Sequence, residues 1–169
     1  MSNKSKYIYT LYKCTNMQNM LIDAVNLNNN LFLNELKEIN IHNYSYTPDE
    51  AIEELGLELE EINHLIDDYV IQIVTSNMAF LQYLHELQSS KDNHKIMNFT
   101  PLQELAHKNL GVARNLRIHD AQKLLYTIMK EEDLEHIFLC LEGLFACVTI
   151  LRPQKAFDTL RLIKVKNSL

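Results

Sequence analysis

The chain has 169 residues, 47% of them hydrophobic and 22% charged, with a formal net charge of -6. That length suits one domain with its own core. The acidic balance argues against a nucleic-acid-binding or anionic-membrane-binding protein, which would present a basic face. Three prolines and three glycines leave little turn chemistry for sheets, and apolar residues recur at helical spacing, so the expected fold class is all-α.

The opening stretch, "MSNKSKYIYTLYK", lacks the apolar middle of a signal peptide, so a cytoplasmic location is expected. No run reads as long and apolar enough to cross a bilayer. "YIYTLYKC" suits a short strand or a helix, and more readily packs on the body than binds bases. "MQNMLIDAVNLNNNLFLNELKEIN" has helical spacing but is interrupted at "NLNNN", which suggests two helices. Residues 1–47 are read as an N-terminal extension of unknown role, and residues 48–169 as a helical bundle domain.

In "TPDEAIEELGLELEE", Thr47 is the expected N-cap, Pro48 the first helical residue and Glu50 the partner closing a capping box. Gly56 is expected to end that helix. A long helix should follow on the stripe Leu59, Ile62, Ile66, Tyr69, Ile73, Phe80, Leu84 and Leu87, with a gap near Ser76 and Asn77. "SSKDNHK" is the clearest loop signal. Thr100, Pro101 and Gln103 repeat the cap, first-residue and box pattern. A break is expected at Ile118 to Asp120. Ala121, Leu124, Leu125 and Ile128 mark the next helix. Leu134, Ile137, Phe138, Leu141, Leu144, Phe145, Val148 and Leu151 mark the one after, which Pro153 ends or kinks. The basic "RLIKVKNSL" suits a last short helix. Long helices with short connections point to an antiparallel four-helix bundle with additions. The cysteines are Cys14, Cys140 and Cys147, an odd count without a CxxC pair, as expected of reduced, inert thiols. Cys140 and Cys147 are one heptad apart on an apolar stretch and should pack in the core.

The most informative segment is "TPLQELAHKNLGVARNLRI", residues 100–118. On a helix, Leu102, Leu105, Val112, Ala113 and Leu116 share the core side. Asn109 also points inward. His107 falls nearly opposite, with Gln103, Gly111 and Arg114 on its face one or two turns away. A mid-helix glycine costs about 1 kcal/mol relative to alanine. Gly111 therefore suggests clearance beside the imidazole for another protein's surface. His42, His64, His85, His94, His119 and His136 are read as ordinary surface histidines.

"AHKNLGVARNLRIHDAQKLL" resembles the signature of histidine-containing phosphotransfer (HPt) domains, roughly Ala-His-x-Leu-Lys-Gly-x-Ala-x-Asn-Leu-Gly followed by an apolar helix. Ala106, His107, Gly111, Ala113, Asn115 and Leu116 stand at matching places. A weaker likeness extends upstream through "EELGLELEEINHLIDDYVIQ" and downstream to about Leu151. The resemblance implies an HPt-like four-helix bundle. It also implies a phosphorelay intermediate that takes a phosphoryl group on His107 from a receiver-domain aspartate and passes it to another. The partners it implies are the receiver domain of a response regulator, a hybrid histidine kinase, or both. It implies no cofactor of the chain's own, Mg²⁺ belonging to the receiver. Imidazole suits the role because it is nucleophilic and substantially neutral near pH 7. The chain departs from the family at Leu110, where a lysine is usual, and Lys108 stands instead beside His107. Asn109 occupies an apolar place, and Arg114 a place where a small residue is common. A guanidinium matches phosphate geometry and suits replacement of the missing cation.

A second reading is a degenerate HPt-like bundle that binds a receiver or kinase as an adaptor or inhibitor without carrying phosphate. Its motive is Leu110, expected to add exposed apolar surface beside His107. A third is a carboxylate-bridged metal site built on Glu60, Glu61, His64, Asp67 and Asp68, with a looser match at Glu132, Asp133, Glu135 and His136. A solvated acidic face explains those residues more simply.

Overall fold

A computed structural model describes residues 13–168, so the reading of "YIYTLYKC" falls almost wholly outside the described residues. Among the described residues seven α-helices follow one another: α1 (Met17–Leu33), α2 (Asp49–Leu55), α3 (Leu59–Asp92), α4 (Thr100–Asn115), α5 (His119–Lys130), α6 (Leu134–Leu151) and α7 (Pro153–Asn167). A 3-10 turn, Lys37–Ile39, lies between α1 and α2. There is no strand among the described residues, and the helices pack into one helical bundle, as the composition led us to expect.

Helix α6 is the axis of the core. Residues 140–149 are buried without interruption, and α6 packs against α1, α3, α5 and α7. The expectation that no run is long and apolar enough to span a bilayer is corrected here. Leu134–Leu151 has 18 residues and a mean hydropathy of 1.8. Its apolar character on all sides has another cause, because 67% of it is buried inside the bundle. A helix enclosed by neighbours has no solvated face to make polar. Cys140 and Cys147 are free thiols in this core, as their spacing predicts.

The break expected at "NLNNN" is absent. Helix α1 is continuous because Met20, Ala24, Leu31 and Phe32 form one buried stripe through it. Asn26, Asn29 and Asn30 are exposed and Asn28 is half-buried, and burial of the apolar stripe outweighs their poor helix propensity. Asn16 caps α1, its Oδ1 accepting from the backbone N–H of Gln18 at 2.7 Å. The stripe belongs to the same core as α6.

Several helix ends differ from expectation. Pro48, not Thr47, precedes α2, and no side chain caps that end. The reciprocal capping box lies at the start of α3, where the Glu58 N–H donates to Glu61 Oε2 at 2.9 Å. At α4 the cap position is Phe99, one residue before the expected threonine and without a side-chain cap bond, while Asn98 Oδ1 accepts from the Thr100 N–H at 3.1 Å. Gly56 ends α2 in the left-handed conformation, with φ of 64°, as predicted. Helix α3 runs through Ser76 and Asn77 and continues to Asp92, taking up half of the expected "SSKDNHK" loop. Its stripe begins at Ile62, since Leu59 is half exposed. Pro153 opens α7, a 15-residue helix longer than the short tail helix expected.

Candidate functional site

Helix α4 is held by its inner face. Leu102, Ala106, Asn109, Leu110 and Ala113 are buried, whereas His107, Lys108, Gly111 and Arg114 are exposed and Gln103 is half-buried. The predicted exposure of His107 is met. The predicted exposure of Leu110 is not, because only 1% of it is accessible. At 100° per residue Leu110 lies on the flank of the stripe, where a neighbouring helix decides exposure. Helices α4 and α5 pack as a tight hairpin, and α5 carries Met129 to the His107 side. The flank holding Leu110 is thereby closed.

A shallow groove of about 310 Å³ lies beside His107, lined by Thr100, Gln103, Glu104, His107, Lys108 and Met129. Helical side chains lean toward the N-terminus, so the imidazole stands over the turn holding Gln103 and Glu104. Glu104 and Lys108 place one negative and one positive charge at this groove. Gly111 lies on the other side, where an added Cβ would meet nothing within 4 Å. Glu104 was missed in the sequence reading although the helical spacing contains it. Met129 comes from another helix and left no local signal.

Asn109 is fully buried and satisfied. Its Oδ1 accepts from Gln72 Nε2 at 2.7 Å, and its Nδ2 donates to the Leu105 carbonyl at 2.8 Å. This ties α3 to α4 two residues from His107. Asn109→Ala is expected to destabilise the protein by about 2 kcal/mol, through the lost bonds and the void left behind. Asn109→Leu should cost less, because it fills the space and half-buried Gln72 can turn to water. Chemical denaturation of the two variants checks that order.

The turn between α4 and α5 is clamped by the segment that contains the 3-10 turn and α2. Tyr46 Oη donates to the Leu116 carbonyl at 2.9 Å, and Tyr44 Oη accepts from the His119 N–H at 3.2 Å. Burial pushes the Tyr44 phenol up to about 12. Lys123 Nζ donates to the Asn40 carbonyl at 2.9 Å. Arg117 pairs with Glu54 at 2.7 Å, and His119 with Glu50 at 2.8 Å. His136 lies 2.9 Å from Glu131 and 3.1 Å from Glu38. His119 and His136 are therefore half-buried ties within the fold and not ordinary surface histidines. Their partners lie far away in sequence, which local reading does not reach. Arg117 holds φ of 55°, the left-handed conformation that usually closes a helix on glycine.

His64 lies 4.0 Å from Glu60, both well exposed. No group of three His, Cys, Asp or Glu side chains comes together to hold a metal ion among the described residues. The acidic residues of early α3 form a solvated helix face, except Asp67, which pairs with Arg152 at 3.1 Å and Lys155 at 3.4 Å. No protein-family model matches this chain, and no curated protein or solved structure matches it either.

Proposed function

We propose that this protein is a phosphorelay intermediate of the HPt type, carrying a phosphoryl group on His107 between receiver-domain aspartates. The observation that carries this reading is an exposed histidine on a helix fixed from behind, next to a glycine that packing does not require. A ring nitrogen of His107 attacks the phosphorus of an aspartyl phosphate. The N–P bond forms as the acyl P–O bond breaks, and the carboxylate leaves on the receiver. Return transfer reverses these steps. Lys108 and Arg114 offer positive charge to the phosphoryl oxygens, in place of the usual lysine at position 110. Gln103 offers a neutral donor. The receiver, or the receiver domain of a hybrid kinase, supplies Mg²⁺ and most of the transition-state stabilisation.

The antiparallel four-helix arrangement of the HPt class belongs to the same proposal, with α3 to α6 as its helices. Arg117 adds support. It stands where the family pattern has its last glycine, and its backbone adopts the conformation that glycine favours. The adaptor reading rested on an exposed Leu110, and burial of that side chain removes its motive. A cytoplasmic location belongs to the same proposal.

The test is transfer from phosphorylated receiver domains to the purified chain. Acid-labile label on the wild-type chain and none on His107→Gln is the expected outcome. Equal labelling of both, or binding without any label, would sink the carrier reading.

A further inference from the structure

A second concavity, of about 270 Å³, lies beneath the segment 44–48. Its walls include Tyr44, Tyr46, Ile66, Asp120, Cys147 and Arg152. We propose that this cavity binds a small molecule bearing a protonated amine, with the Asp120 carboxylate as its counter-charge. The proposal is independent of the His107 chemistry.

Asp120 sits in the first turn of α5. Its Oδ1 accepts from the Ala121 N–H at 2.7 Å, and the Cys147 thiol also donates to the carboxylate. It forms no ion pair with a lysine or arginine among the described residues. Burial pushes its carboxyl above the ordinary range. Among the described residues only the neighbouring His119 offsets this half-buried carboxylate's loss of solvent by its charge, and a cationic ligand would offset it further.

Tyr69 supplies a separate observation. It is 1% exposed, and its hydroxyl has no hydrogen-bond partner among the described residues. It lies close enough to Asp120 and Cys147 for both to raise its phenol well above the ordinary range, after burial itself. Buried hydroxyls almost always find a partner. An ammonium group donates several N–H bonds from one point, so one held at Asp120 has bonds to spare for other acceptors on the cavity wall. Tyr44 and Tyr46 add aromatic surface of the kind that receives ammonium ions.

Arg152 determines what else the ligand carries. Asn63 Oδ1 accepts from its Nη2 at 2.6 Å, and Asp67 accepts from its Nε at 3.1 Å. These bonds fix the guanidinium at the cavity wall and leave further N–H groups for a carboxylate. A plain amine and an α-amino acid share the ammonium chemistry, and only the second engages Arg152.

Titration of the ¹⁵N-labelled chain with n-butylamine, L-norvaline and butyrate tests this. Saturable shifts at residues 44–48, 120 and 147–152 are expected with butylamine or norvaline, and none with butyrate. Tighter binding of norvaline identifies the amino-acid class, and equal or weaker binding identifies plain amines. Asp120→Asn should weaken the affinity at least about tenfold, the loss of one charge-assisted bond. Ser45→Trp, at an exposed position on the cavity wall, should abolish binding while the rest of the spectrum stays unchanged. No saturable shift with either amine, equal binding of butyrate, or unaltered affinity in both variants overturns the proposal and leaves a water-filled cavity.

Discussion

Gly111→Ala should make the protein more stable, whereas Gly111→Leu should make it a poor phosphate acceptor. An added Cβ at Gly111 meets nothing within 4 Å, and this glycine does not hold the positive φ that Gly56 holds. Nothing in the fold therefore asks for glycine in the middle of α4. Alanine removes backbone freedom from the unfolded chain and is worth about 1 kcal/mol in an exposed helix interior. For a chain of this size that raises Tm by roughly 2–4 °C. A leucine keeps the helix but fills the space one turn from His107. Docking of a receiver over the imidazole then meets a side chain, and a clash worth about 1.4 kcal/mol slows transfer about tenfold. Melting curves and transfer rates measured on the same preparations decide the matter. A leucine variant that melts like the wild type and transfers at the wild-type rate would show that Gly111 has no part in docking.

Gly143→Leu should be the most damaging single change in the bundle. Gly143 lies within the buried run of α6, where α1 crosses closely. A Cβ there would stand 3.0 Å from Phe32 Cζ and 3.5 Å from both Leu124 Cδ2 and Leu36 Cδ1. A leucine has no room without displacing α1 or α5. Overpacking of this kind costs about 3 kcal/mol, and Tm should fall by roughly 10 °C. Gly143→Ala divides two opposing effects. It gains helix propensity but pushes on Phe32, so Phe32→Leu should improve its tolerance of the alanine in a double-mutant cycle. Asn28 Nδ2 also donates to Cys147 Sγ at 3.4 Å across the same α1–α6 contact. Loss of a single cooperative unfolding transition, with α1 alone released, would mean that α1 is dispensable to the core.

What could be read from the sequence was what depends on one helix at a time. The stripe Ala121, Leu124, Leu125 and Ile128 is one-sided, and all four residues are buried. The exposure of His107 and the inward direction of Asn109 followed from spacing alone. Leu110 was misread because it lies at the edge of a stripe, where the position of α5 decides burial. The "NLNNN" segment was misread because local propensity opposed the burial of Leu31 and Phe32, and burial won. The caps expected at Thr47 and Thr100 were misplaced by one residue, the cap positions being Pro48 and Phe99, because several Asn, Thr and Pro candidates stand side by side. The clamp of Tyr44, Tyr46, Glu50 and Glu54 on the α4–α5 turn was beyond reach. It joins residues about 70 positions apart, as Tyr46 and Leu116 are, and no period records such a pairing. The His107 groove was half legible, since Gln103 and Lys108 share its helix and Met129 does not.

The most direct test of a phosphorelay intermediate is a two-way chase. The chain is labelled by a phosphorylated receiver, separated from it, and mixed with a second, unphosphorylated receiver and Mg²⁺. The account predicts that label leaves the wild-type chain and appears on the second receiver, while His107→Gln never carries it. Label that stays on the chain, or that sits on a residue other than His107, would contradict the account.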